Sequence, residues 1–136
     1  MTDERPAALD PSLVNEFVLK AHGDFDAVQA LLDREPMLLN AAWDWGGGDW
    51  ETALGAASHM GRRDIALFLL ERGAPLDIFA AAMLGETEIV RAMLDRFPEL
   101  IHARGPHGIS LRVHAEQGGA EARGVLELLE GAVATV

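Results

Sequence analysis

Apolar residues return along this chain in short helical stripes, separated by glycines and prolines. In 26–34, Ala27, Val28, Leu31 and Leu32 lie on one stripe at i, i+3, i+4 spacing. Ile65, Phe68 and Leu69 repeat that spacing, as do Ile89, Val90, Met93 and Leu94, and then Val125, Leu128 and Leu129. Each striped segment follows a shorter segment and a turn. The pattern predicts helices over about 13–21 and 26–34, then 52–60 and 64–72, then 78–84 and 87–96, and finally 109–117 and 121–130.

The first helix of each later pair is marked by small residues. Ala53, Ala56, Ala57 and Ser58, and later Ala80, Ala81 and Ala82, let neighbouring helices approach closely. Asp10-Pro11-Ser12 is a helix-start signal, because proline suits a first turn and Asp or Ser can cap it. Glu35-Pro36 ends the second helix, since the residue before proline leaves the helical region. The segments 1–12 and 131–136 read as fraying ends.

Between the first two pairs, Met37–Glu51 is non-helical. Its three consecutive glycines, Gly46 to Gly48, argue for turns, and it holds all three tryptophans, Trp43, Trp45 and Trp50.

The turn glycines Gly23, Gly61, Gly85 and Gly118 are spaced 38, 24 and 33 residues apart, and the last spacing equals the ankyrin period. Thr52-Ala53-Leu54-Gly55-Ala56-Ala57 stands where ankyrin repeats carry T-P-L-H-x-A, with Ala for Pro and Gly for His. Gly61, Ile65, Leu69-Leu70 and Gly73-Ala74 occupy further signature places. Over 13–131 the chain therefore resembles the ankyrin-repeat family. The resemblance implies an all-α solenoid of about four helix-turn-helix repeats, near 13–43, 44–77, 78–104 and 105–131, forming a single domain across 1–136 with short or irregular β-finger loops. The first spacing is longer than the family period and the second shorter. That predicts an enlarged, tryptophan-bearing finger beside a missing one, and a notch between them.

Such repeats bind proteins or peptides with finger tips and the concave side of each first helix. Carried over by position, the resemblance implies Trp50, Glu51, His59, Met60, Met83, Leu84, Glu116 and Gln117 as partner-binding, Trp43 and Trp45 join them on the same finger, and His107 is counted with them. The expected partner is a protein or peptide, bound without a cofactor by a monomeric, cytoplasmic, non-catalytic module. The alternative is a small-molecule pocket or unrecognised enzyme site in the notch, lined by Trp45, Trp50, His59 and His107.

Composition narrows the chemistry. Eleven Lys and Arg against 22 Asp and Glu leave a formal net charge of −11, which disfavours nucleic acid and anionic membrane as partners. With no cysteine, thiolate catalysis and zinc–sulfur sites are excluded. The longest apolar run, Ile78–Leu84, is far below the ~18 residues of a membrane span. The start of the chain has neither the basic nor the apolar region of a signal peptide.

Gly46–Gly48 lacks a Walker lysine and a G-x-G-x-x-G context. His114-Ala115-Glu116 lacks the cysteines of a deaminase centre. Asp24-Phe25-Asp26 lacks the rest of a calcium loop, and no serine sits in a nucleophile elbow.

Of the five histidines, His114 is expected to be buried and hydrogen-bonded, while His22, His102 and His107 fall at turns and His59 on the concave side. A zinc site needs three or four converging ligands. The spacing shows no such convergence, so the expectation is structural or solvated histidines and no metal.

Overall fold

Side-chain caps set the starts of five helices. Asp10 accepts a hydrogen bond from the backbone of Ser12, and Asp24 from Ala27. Thr52, Asp77 and Ser110 do the same for the first helices of the next three pairs. In the computed structural model, which describes residues 5–134, the pairs are α1 (Pro11–Lys20) with α2 (Phe25–Arg34), α3 (Ala53–His59) with α4 (Arg63–Glu71), α5 (Ile78–Leu84) with α6 (Thr87–Arg96), and α7 (Leu111–Gln117) with α8 (Arg123–Ala134). The protein is mostly helical. α5 and α6 have the bounds that the apolar pattern predicts.

The first helices pack in succession, α1 on α3, α3 on α5 and α5 on α7. Their small residues allow it, for Ala53, Ala56, Ala57, Ala80, Ala81 and Ala82 are all fully buried. α5 divides the core. Ala80, Met83 and Leu84 join a cluster built from the first two pairs, around Phe17, Val28, Ile65 and Leu69. Ile78, Ala81 and Ala82 join a second cluster with Val90, Leu111, Val125 and Leu129.

Two strands, β1 (Ala42–Asp44) and β2 (Trp50–Thr52), form an antiparallel hairpin with Trp43 opposite Glu51. Its tip is Gly46–Gly48, all three glycines at positive φ. The Asp44 carboxylate holds the tip by accepting from the Gly46 and Gly48 backbone N–H groups at 2.8 and 3.0 Å. Among the described residues no strand lies between α4 and α5, while an isolated bridge, Arg104 to Ser110, marks a reduced hairpin before α7.

The expected notch is present but bridged: with no finger between them the two hairpins meet, Asp49 Oδ1 accepting from the His107 backbone N–H at 2.7 Å, beside a hollow of about 390 Å³ lined by Trp50, Thr52, Phe79 and Arg104. Two expectations need correction. Met83 and Leu84 are core residues, not a binding face, because α5 is enclosed where α3 and α7 come together. The chain after Gly131 continues α8 through Ala134, so that part of the expected frayed tail is helical. Residues 1–4 and 135–136, also expected to fray, lie outside the described residues. No helix among the described residues is long and apolar enough to cross a membrane.

Candidate functional site

Four segments, two of them consecutive and two distant in sequence, bring polar side chains to one point beside the hairpin. β2 supplies Glu51, whose neighbours Trp50 and Thr52 turn to the other side by strand alternation. Helix α3 supplies His59 from its last turn. Gly55, one turn earlier, is the residue that lets the other segments close in: a Cβ there would come within 3.2 Å of Pro106 Cγ and 3.6 Å of Glu51 Cγ. The turn after α1 supplies His22, and the reduced hairpin supplies His107.

Glu51 is buried, with 1% of its surface exposed. One indole and three imidazole nitrogens surround its carboxylate. Trp45 Nε1 donates to Oε1 at 2.8 Å, and His22 Nε2 lies 3.2 Å from the same oxygen. His59 Nε2 is 2.9 Å from Oε2, and His107 Nε2 is 3.3 Å from it. Burial by itself would push the Glu51 pKa up. The hydrogen bonds from His22 and then His59, the His22 charge and the Trp45 indole outweigh it and hold the group at about 2. His22 is shifted upward, first by its hydrogen bond to Glu51, with burial opposing.

The outer nitrogens of two rings fix their tautomers. His22 Nδ1 lies 3.0 Å from both the Val18 and the Leu19 carbonyl oxygens. Carbonyls only accept, so Nδ1 carries a proton. His107 Nδ1 lies 2.7 Å from Asp49 Oδ2. The His107 backbone N–H, more than any other contact, keeps Asp49 below its ordinary pKa and ionised, so it too accepts. In the neutral rings, Nε2 of His22 and of His107 is therefore a bare lone pair facing a carboxylate oxygen. That arrangement is repulsive unless a proton or a metal cation stands between.

Two further features belong to the site. His107 is the one described non-glycine residue at positive φ, 62°, a strained conformation that tertiary contacts must maintain. The ligand atoms of His22, Glu51, His59 and His107 all lie within 4.8 Å of one another.

The sequence-derived candidates divide clearly. Trp45, Glu51, His59 and His107 meet. Trp43 is half-buried and packs on the core of the first two pairs, so it anchors the hairpin. Trp50 and Met60 are 59% and 47% exposed, outside the cluster. Glu116 and Gln117 are exposed on α7, with Glu116 3.9 Å from Arg112. His114 is buried as expected, its Nδ1 2.7 Å from the Ser110 carbonyl oxygen.

The histidines do converge: His22, His59 and His107 meet at Glu51, which the spacing did not show. His22 and Asp49 are site residues that sequence reasoning passed over. A signal existed: His22 and His59 stand one and two residues before the turn glycines Gly23 and Gly61, nearly equivalent places in consecutive pairs.

No family model and no curated protein matches the chain.

Proposed function

We propose that this protein binds a divalent transition-metal ion of the zinc type through His22 Nε2, His59 Nε2, His107 Nε2 and Glu51 Oε2. The observation that carries the reading is the ring geometry: His22 and His107 spend Nδ1 on acceptors and, once neutral, turn bare Nε2 lone pairs toward one buried carboxylate. Imidazole donors with a carboxylate suit zinc, cobalt, nickel and copper rather than calcium or magnesium. Asp49 on His107 and the Val18 and Leu19 carbonyls on His22 are the outer partners that orient metal-bound imidazoles elsewhere. A tetrahedral ion with ligand bonds near 2.1 Å needs donors about 3.4 Å apart, so side-chain rotations draw the rings slightly inward from their present spacing.

The scaffold in this proposal is ankyrin-like. The succession of helix pairs with small-residue first helices supports the family resemblance, and the ion would tie together the first, second and fourth pairs.

The test is a zinc titration of chelator-treated protein. One ion per chain is expected, with affinity lowered at least about tenfold in His59→Ala and in His107→Gly. Glycine at 107 tolerates the positive φ, which keeps that variant folded. Absence of stoichiometric uptake, or equal affinity in wild type and both variants, would contradict the reading.

A second reading, peptide binding by the hairpin, is favoured by one observation. Trp50 stands exposed over a hollow of about 310 Å³ lined also by Leu9, Pro11, Val14, Ala42, Trp43 and Asp44. Trp50→Ala should abolish peptide capture while leaving zinc affinity unchanged; capture that survives the substitution would remove this surface.

A further inference from the structure

We infer that the metal centre keeps an exchangeable position on its His22–His107 rim, where it takes water or a small monoanionic oxygen ligand such as a carboxylate or hydroxamate. This rests on the metal-binding reading above. Burial is graded across the cluster: the Glu51 side chain is 0% exposed, His59 10%, His22 22% and His107 32%. An ion seated among them has the carboxylate on its inner side and solvent on its outer side.

The ring centroids form an uneven triangle. His22 to His59 is 5.1 Å and His59 to His107 is 5.3 Å, while His22 to His107 is 6.4 Å. The widest edge thus joins the two most exposed rings. Trp45 stands beside that edge, its ring 6.2 Å from His22 and 6.1 Å from His107.

Trp45 also limits the donors. Its indole N–H takes up one lone pair of Glu51 Oε1, which biases the carboxylate toward coordination through Oε2. The protein then supplies four donors, and a zinc-type ion can expand to five. Three neutral imidazoles and one carboxylate leave a divalent ion with a net positive charge that one monoanion neutralises. A multiply charged anion is disfavoured by Asp49 beside the rim and by the net charge of −11.

Cobalt(II) reports this directly, because its visible absorption weakens on passing from four to five ligands. The protein is loaded with one equivalent of cobalt and titrated with acetohydroxamate, and separately with acetate. The expected result is a saturable fall in visible absorption at one ligand per cobalt. Pyrophosphate at the same concentrations should have no effect. In Trp45→Phe, Oε1 is free to complete bidentate coordination. Acetohydroxamate affinity, measured on the cobalt-loaded variant, should weaken at least tenfold. Stoichiometric cobalt uptake with a spectrum unmoved by either monoanion would overturn the exchangeable position and leave a closed structural metal site. Failure to take up cobalt would overturn the metal reading itself, and this inference with it.

Discussion

Glu51 and His114 are both titratable and both buried, at 1% and 0% exposure, yet they sit in opposite surroundings. Glu51 lies where four segments converge, and donors on both oxygens hold it ionised. His114 lies in α7 with its Nδ1–H on the Ser110 carbonyl, beside Phe79 at 4.9 Å, and its Nε2 has no protein partner. Desolvation, above all, lowers its pKa and keeps it neutral. The contrast separates two uses of a buried polar residue. A buried charge persists only where partners are arranged for it; a buried neutral ring needs only one good bond and a shape that fits.

The largest expected effect of breaking this contrast falls at Glu51. A carboxyl held near 2 rather than its ordinary 4.5 contributes about 3 kcal/mol to the metal-free fold at pH 6. Glu51→Ala should therefore lower the melting temperature by about 10 °C. A melting temperature within 2–3 °C of wild type, on the order of 1 kcal/mol, would show that the cluster does not stabilise the charge.

The pH dependence sharpens the same point, and its two limbs have opposite signs. The contribution of Glu51 is present above 4.5 and lost as pH falls toward about 2. His22, raised from 6.5, contributes below 6.5, and that part is lost as pH rises through its elevated value. Denaturant unfolding of metal-free protein should be hardest between pH 4.5 and 6.5. Zinc should abolish the alkaline loss, because the ion replaces the proton between ring and carboxylate. Metal-free stability that climbs from pH 6.5 to 8 would contradict the tautomer argument.

The smallest effect is expected at His114. Ser110 O also accepts from the His114 backbone N–H at 3.2 Å, so removing the ring leaves no buried carbonyl without a donor. His114→Leu should change stability by less than about 1 kcal/mol in either direction. A loss of several kcal/mol would mean that the unpartnered Nε2 has an essential role.

The helices were legible because their cause is local. Stripe spacing, turn glycines and caps act within a dozen residues, and α5 and α6 are bounded as the pattern predicts. The short second spacing also forecast correctly that no finger separates α4 from α5. Its consequence was not legible. That Asp49 would meet His107, 58 residues later, and that α3 and α7 would enclose Met83, are results of packing between pairs. Within the site, Trp45, Glu51, His59 and His107 drew attention through the family's binding positions and the expected notch. Their convergence on a carboxylate rests on tertiary geometry, with Gly55 opening the space, and no spacing rule carries that information.

The central claim is that His22 and His107 turn bare Nε2 lone pairs toward Glu51, ready for a cation. Long-range proton–nitrogen NMR of the imidazole rings tests it most directly, in metal-free protein above the raised His22 pKa and again with zinc. The account expects both rings as Nδ1–H tautomers, with Nε2 of His22, His59 and His107 moving to metal-bound shifts when one equivalent is added. Nε2–H tautomers at His22 and His107, or ring nitrogens unmoved by zinc, would contradict it.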